Sequence, residues 1–84
     1  MDVEAIRGRV KQSISQVTGI EVAAISDSAA YVDDLGLDSL SILEIAVNVE
    51  EHFKFHATDD ELAAIRTVEN TVELVRRRAY VEVA

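Results

Sequence analysis

The chain has no cysteine, no proline and no tryptophan among its 84 residues, and it has only three glycines. Without cysteine there can be no disulfide, thiolate nucleophile or cysteine-ligated metal, so any thiol chemistry requires an attached group. Without proline, helices must end at glycine, at polar capping residues or where the apolar periodicity stops. A chain this short predicts one domain, residues 1–84, stabilised by apolar packing alone.

Long apolar runs are also missing. No segment reaches the length of a membrane span, and the N-terminus lacks the basic-then-apolar order of a secretion signal. We therefore expect a cytoplasmic protein that does not insert into a membrane.

Basic residues are scarce, with 8 lysines and arginines against 16 acidic residues and a net charge of -8. Nearly all of the excess lies in residues 27–61, which hold ten acidic residues and one basic residue, Lys54. Such a surface repels nucleic-acid phosphates and anionic membranes and attracts basic protein patches. Acidic residues also keep a small protein soluble, but that need does not explain their concentration in one region.

Apolar residues recur at three- and four-residue steps and predict an all-α fold. Three main helices are expected near residues 3–18, 39–54 and 68–80. A short helix is expected near residues 59–65, opened by a capping box at Thr58. No strand-like alternation competes, so the predicted fold class is a four-helix bundle with up-and-down packing.

The periodicity fails between the first two main helices, over residues 20–38, which predicts a long ordered loop. Loops of this length in small domains are usually functional. Its expected apolar anchors are Ile20, Ile25, Tyr31 and Leu35.

The second main helix is predicted to be amphipathic. Its apolar stripe consists of Ile42, Ile45, Val49 and Phe53, widened by Leu40, Leu43 and Val47. The opposite, largely polar face consists of Ser41, Glu44, Asn48 and Glu51.

The segment Gly36-Leu37-Asp38-Ser39-Leu40 lies where the loop meets this helix. Gly36 permits a sharp turn, and either Asp38 or Ser39 is suited to cap the helix. The Ser39 hydroxyl would then lie near the positive end of the helix dipole, which favours an attached phosphate. A serine at a helix start is usually only a cap, so this segment by itself leaves both interpretations open.

The longer stretch Asp33-Asp34-Leu35-Gly36-Leu37-Asp38-Ser39-Leu40 resembles the acyl carrier protein signature, D-L-G-x-D-S-L. The resemblance extends to Val49-Glu50-Glu51-His52-Phe53 and to Ile65-Arg66-Thr67-Val68. It implies a bundle of acyl-carrier type in which Ser39 accepts 4'-phosphopantetheine from coenzyme A and Asp38 assists the transferase. The implied core draws on Ile6, Val10, Leu35, Ile45, Val49, Phe53, Ile65 and Val75.

The resemblance also implies a monomer that is not an enzyme and that carries acyl groups as thioesters. Its expected partners are a phosphopantetheinyl transferase and acyl-loading, condensing and acyl-transfer enzymes with basic patches. These enzymes would belong to fatty-acid, polyketide or related specialised lipid pathways. The residues expected to contact them are Leu40, Glu44, Val47, Glu50 and Glu51.

Three departures from the family pattern favour a specialised pathway over housekeeping fatty-acid synthesis. Ser41 stands where fatty-acid carriers usually have an acidic residue, and Ala57-Thr58 replaces a common Ile-Pro pair. Arg76-Arg77-Arg78 gives the last helix a basic end, which we interpret as favourable placement at a helix C-terminus.

Alternative functions are less well supported by the sequence. A catalytic Ser39 needs a base, and His52 and His56 lie three turns or more along the chain. These two histidines are spaced as a zinc pair, but without further ligands no metal site is expected. An aminoacyl or peptidyl carrier and an acidic protein-interaction module without a prosthetic group both stay open.

Overall fold

The structure, a computed structural model, describes residues 2–78, and its regular secondary structure is helical. Helix α1 spans Val3–Thr18, α2 spans Ser39–Phe53, α3 spans Asp59–Ala63 and α4 spans Val68–Arg78. A single 3₁₀ turn at Val22–Ala24 interrupts the long loop. The prediction of an all-α fold with three longer helices, one short helix and a long first loop is confirmed.

The two ends of α1 follow the capping rules. The Asp2 carboxylate accepts a hydrogen bond from the Ala5 backbone N–H at 2.8 Å. At the other end Gly19 adopts a φ of 81° and its N–H donates to the Ser15 carbonyl at 2.8 Å. Glycine takes this left-handed conformation without a Cβ penalty, and the observed end of α1 matches the predicted span of residues 3–18.

The remaining helix bounds are slightly shorter than predicted. Helix α2 ends at Phe53 because Lys54 turns to a φ of 60°. Helix α3 ends at Ala63, where the chain tightens and the Ile65 N–H donates to the Leu62 carbonyl at 3.2 Å. For α4, Ala79 and residue 80 of the predicted span lie outside the described residues.

Polar caps open α3 and α4 as expected. Thr58 and Glu61 form the predicted capping box, with Thr58 Oγ1 accepting from the Glu61 N–H at 3.1 Å and Glu61 Oε1 accepting from the Thr58 N–H at 2.9 Å. Thr67 Oγ1 accepts from the Asn70 N–H at 3.0 Å at the start of α4. These caps satisfy backbone donors that have no partner within the helix.

The core lies where α1 and α4 pack against the inner face of α2. Leu35 and Phe53, which were expected in it, are half-buried against it. Among the residues that the structure describes, the buried apolar side chains are Ile6, Val10, Ile14, Ile25, Ala29, Tyr31, Ile45, Ala46, Val49, Ile65, Val68, Val72, Leu74 and Val75.

One part of the amphipathic prediction for α2 is wrong. Leu40, Leu43 and Val47, expected to widen the apolar stripe, are exposed, and Leu40 is 63% exposed. With about 3.6 residues per turn, these three side chains lie more than about 100° around the helix from the centre of the stripe, so they point away from the core.

Asn48, which the sequence places on the polar face of α2, contacts α1. Its Oδ1 accepts from the buried Ser13 hydroxyl at 2.6 Å and from Arg9 Nη2 at 3.2 Å. Its Nδ2 donates to Gln16 Oε1 at 3.3 Å. A buried hydroxyl requires a partner, and Asn48 supplies it across the α1–α2 interface.

The long loop is fixed to the start of α4. The Tyr31 N–H donates to the Arg66 carbonyl at 2.9 Å, and the Val68 N–H donates to the Ala29 carbonyl at 3.0 Å. These bonds flank an isolated bridge between Ala30 and Thr67. The predicted anchors Ile25 and Tyr31 are buried, while Ile20 and Leu35 are half-buried.

Tyr31 also ties the loop to α4 through its hydroxyl group, which lies 2.5 Å from Thr71 Oγ1. Because the Thr71 hydroxyl donates to the Thr67 carbonyl at 3.1 Å, the Tyr31 hydroxyl is the donor to Thr71. Burial raises the pKa of Tyr31 to about 12. These contacts of Tyr31 therefore fix the position of the loop shortly before it enters α2.

Across residues 2–78, none of the helices combines the length and the apolar character needed to cross a membrane.

Candidate functional site

A tight turn delivers the long loop to the start of α2. Gly36 adopts a φ of 66°, the left-handed conformation that glycine accepts readily. The sharp turn predicted at Gly36 is therefore present. The Gly36 N–H donates to the Val32 carbonyl at 3.1 Å, and the Leu37 N–H donates to the Tyr31 carbonyl at 2.9 Å. The buried Tyr31 thus fixes the position of the residues just before the helix.

Asp38, and not Ser39, caps α2. Its Oδ1 accepts from the Ser41 N–H at 2.9 Å while its backbone is extended, with φ -100° and ψ 177°. Hydrogen bonding to the Ser41 N–H, then to the Ser41 side chain, lowers the pKa of Asp38. The structure therefore decides between the two capping candidates that the sequence left open.

Ser39 is the first residue within α2, and its side chain is exposed. Within the described residues its hydroxyl makes no hydrogen bond, so it is available for reaction. Backbone N–H groups at a helix start carry partial positive charge and favour a phosphate ester there.

An apolar cleft of about 400 Å³ opens beside Ser39. Its α2 wall is formed by Ser39, Ile42, Leu43 and Ala46, and the opposite side is formed by Val32, Leu62, Ala63, Ile65 and Arg66. An adjoining cavity of about 500 Å³ shares Val32, Ile42, Ile65 and Arg66 with it. Ligand sites are typically clefts of this size with mostly apolar walls. The cleft therefore suits the hydrocarbon part of a group attached at Ser39.

The residues expected to contact partners are distributed along α2. Leu40, Glu44, Val47 and Glu51 are exposed. Glu50 is half-buried, and its Oε2 accepts from the Ala57 N–H at 2.5 Å. This hydrogen bond closes the loop after α2. Glu50 therefore has a structural role in addition to its predicted place in the partner surface.

The sequence analysis missed the far side of the cleft. Val32 is 60% exposed at its edge, and Leu62, Ala63 and Arg66 complete its lining. A single exposed valine in a loop gives no pattern to detect. The walls from α3 depend on how that short helix docks, which the local sequence does not encode.

The two histidines are both exposed. The His52 ring meets Phe53 edge-on, with the ring centroids 4.8 Å apart. The pKa of His52 is lowered, chiefly because the protein removes part of the water around its ring. The nearby positive charges of Arg9 and Lys54 lower it further. In the part of the chain that the structure describes, no cluster of three or more His, Cys, Asp or Glu side chains is arranged for a metal.

Comparison with known proteins identifies relatives over most of the chain. A family model described as a phosphopantetheine attachment site matches residues 8–75. The meromycolate extension acyl carrier protein of Mycobacterium tuberculosis is 39% identical over 74 residues, which are 88% of this chain and 64% of that protein. An acyl carrier protein of Rhodococcus erythropolis is 38% identical over 88% of this chain and 81% of its own length.

A solved structure shows the same fold. The apo doublet acyl carrier protein from prodigiosin biosynthesis aligns with a TM-score of 0.79 and 28% identity, over 89% of this chain and 36% of that one. The chain thus spans about two thirds or less of some relatives that it matches. The family model that matches this chain is defined by a phosphopantetheine attachment site, at which its members hold 4'-phosphopantetheine covalently. Because the family match covers residues 8–75 and the relatives agree with it, the chain belongs to the acyl carrier protein family.

Proposed function

We propose that residues 1–84 form a single acyl carrier domain whose Ser39 Oγ holds 4'-phosphopantetheine. The observation that carries this proposal is the exposed Ser39 hydroxyl, without a hydrogen bond in the described residues, at the start of α2 beside an apolar cleft. When attached, the group supplies a terminal thiol that forms thioesters with acyl groups. The chain itself positions that group and shields part of it.

The other serines are less suitable for attachment. Ser13 is buried and bonded to Asn48, and Ser15 is half-buried within α1. The hydroxyls of Ser26 and Ser28 lie 3.4 Å apart in the loop, away from any helix start. Ser41 is half-buried within the first turn of α2. Ser39 alone combines exposure, a helix start and an adjacent cleft.

The partner surface is proposed to be the exposed side of α2. Glu44 and Glu51 provide negative charge beside the apolar Leu40 and Val47, so the surface suits basic patches surrounding an apolar contact. Acyl-loading, condensing and acyl-transfer enzymes would dock there, as would the transferase. The acidic charge disfavours nucleic acid as a partner. A monomeric state and a cytoplasmic location stay predictions.

The pathway is proposed to be a specialised lipid or polyketide pathway. Relatives are named for meromycolate extension and for prodigiosin biosynthesis. The missing acidic residue at Ser41 and the arginines at the end of α4 distinguish this chain from the usual fatty-acid carrier pattern.

The test of the proposal is covalent modification. Incubated with coenzyme A, magnesium and a broad-specificity transferase, the wild type should gain the mass of one phosphopantetheinyl group. Ser39→Ala should abolish the gain, and the matched Ser41→Ala control should retain it. Because Asp38 is the cap, Ser39→Ala should change stability by no more than about 0.5 kcal/mol.

A different result would identify a different function. If the wild type stays unmodified while a known carrier is modified in the same tube, the carrier proposal fails. The acidic interaction module, in which Ser39 is only part of the helix start, then takes its place. If the modified protein is loaded by aminoacyl-activating enzymes but not by acyl-loading enzymes, it is an aminoacyl or peptidyl carrier.

A further inference from the structure

The arginines at the end of α4 do more than complement that helix dipole. Arg78 Nη1 pairs with Glu61 Oε1, and Arg78 Nη2 donates to the His56 carbonyl at 2.9 Å. Arg77 Nη2 lies 3.7 Å from Glu61 Oε2. Both guanidinium groups therefore reach from α4 to α3 or to the segment before it. Arg76 instead pairs within α4, with Glu73 Oε2 at 3.4 Å.

Helix α3 has little else to hold it in place. It has five residues, none of them fully buried, and only Leu62 among them packs partly against the core. Helices this short are not stable in isolation. The attachment of α3 to the rest of the bundle thus depends strongly on its polar contacts and on Ile65, which follows it.

Glu61 serves both the formation and the docking of α3. The same Oε1 that pairs with Arg78 accepts the Thr58 N–H at 2.9 Å in the capping box. The hydrogen bond from the Thr58 N–H lowers the pKa of Glu61 most, and the hydrogen bond from Arg78 lowers it further. The carboxylate therefore stays ionised at neutral pH. The Glu61 side chain is 19% exposed and that of Arg78 is 35% exposed, so water screens this pair less than a fully exposed one.

Helix α3 lies between the end of α4 and the cleft. Glu61 on one side bonds α4, while Leu62 and Ala63 line the cleft opposite Ser39. A shift of α3 away from α2 therefore widens the cleft, and the contacts of Glu61 with Arg78 oppose that shift.

We propose that Arg78 and Glu61 are positioning residues that hold α3 as the wall of the cleft and so control how well an apolar acyl chain is shielded there. Arg77 reinforces the same contact. This inference rests on the proposed function, because it takes the cleft as the place where the acyl chain on the Ser39 arm lies. It assigns to the arginine cluster a role in retaining cargo.

The first measurement uses the unmodified protein and does not depend on the carrier function. Hydrogen exchange is followed at Leu62 and Ala64, whose N–H groups donate to the Thr58 and Asp60 carbonyls at 2.9 and 3.2 Å. Arg78→Gln should accelerate exchange about two- to fivefold, as expected for loss of a partly exposed ion pair. Arg78→Lys should restore part of the protection. The matched control Arg76→Gln removes the same charge without touching α3 and should match the wild type.

The second measurement uses the protein carrying an octanoyl thioester on its phosphopantetheine arm. Hydroxylamine cleaves the thioester when the cleft opens, so Arg78→Gln should be cleaved about two- to fivefold faster than the wild type. Arg76→Gln should again match the wild type. The denaturation midpoints of the two variants should agree, which separates a local effect on α3 from general destabilisation.

The outcomes distinguish this inference from the proposed function. Equal behaviour of Arg78→Gln and Arg76→Gln in both measurements overturns the inference. Faster exchange without faster cleavage also overturns it, because α3 would then not shield the cargo. Failure of Ser39 to accept phosphopantetheine overturns the proposed function instead, and the exchange measurement on the unmodified chain shows separately whether Arg78 holds α3.

Discussion

The two sides of the bundle differ in how completely they are packed. On the side formed by α1 and α4, four residues of α1 and five of α4 are buried, and Arg7 of α1 bonds both carboxylate oxygens of Glu69 on α4 at 3.1 Å. On the side around Ser39, α3 buries no residue completely, and Val32 and Leu43 are exposed beside an open cleft.

The difference indicates that stability and function are provided by separate regions. Regions with few buried apolar contacts open at lower free energy than a protein's core, and binding sites are often located in them. Here the packed side fixes the long loop and the start of α2, while the open side leaves room for an attached group. The following predictions test this division, beginning with the largest expected effect.

Truncation of a core side chain should affect stability far more than truncation beside the site. Ile14→Ala removes a fully buried side chain and should cost about 2–5 kcal/mol of unfolding free energy. Leu40→Ala removes an exposed side chain and should cost no more than about 0.5 kcal/mol. Urea denaturation of both variants measures the contrast. Equal losses would show that the open side contributes to the core after all.

The burial of the Tyr31 phenol should make the packed side sensitive to alkaline pH. The pKa of folded Tyr31 is about 12, above the ordinary value of 10.0, so the neutral phenol stabilises the fold. That stabilisation is complete below pH 10 and is lost as pH rises towards 12, amounting to about 3 kcal/mol.

Tyr31→Phe separates this effect from other groups that titrate at high pH. At neutral pH the variant should be less stable by about 1 kcal/mol, because a buried hydrogen bond is lost. Between pH 10 and pH 12 the difference should shrink and reverse, since phenylalanine has no phenol to ionise. Denaturation curves across this range provide the measurement. A constant difference would mean that Tyr31 is not responsible.

Substitutions of Asp38 should separate capping from recognition at the start of α2. Asp38→Ala should lower the denaturation midpoint because the Ser41 N–H loses its acceptor. Asp38→Asn keeps an oxygen acceptor and should leave the midpoint nearly unchanged. If the transferase requires the charge of Asp38, Asp38→Asn should still slow modification. Normal modification of Asp38→Asn would restrict this residue to capping.

The smallest expected effect is a change in the rate of encounter with the transferase. Reversing Glu44 and Glu51 to lysine should slow phosphopantetheinylation at low salt, and the difference should shrink once salt screens charges beyond ~8–10 Å. The control is a double variant with the same change in charge elsewhere, Glu21→Lys with Glu73→Lys. If both pairs slow the reaction equally, net charge and not the α2 surface is responsible.

Much of this architecture could be predicted from local patterns. The three- and four-residue spacing of Val3, Ile6, Val10 and Ile14 predicted α1, and Thr58 with Glu61 predicted the start of α3. The motif around Ser39 predicted the candidate site. The exposure of Leu43 and Val47 is also local in origin, because the 3.6-residue period places both side chains away from the buried stripe with which they had been grouped.

The sequence by itself determined the helices, their capping residues, the turn at Gly36 and the position of Ser39 at the start of α2. These features depend on interactions within a few residues along the chain. The tertiary structure decided that Asn48 faces α1 and that Arg78 meets Glu61, seventeen residues away. It also created the cleft beside Ser39 from the loop, α2 and α3. Such contacts depend on how whole helices pack, and pairs of distant residues carry no signal in a single sequence until the fold brings them together.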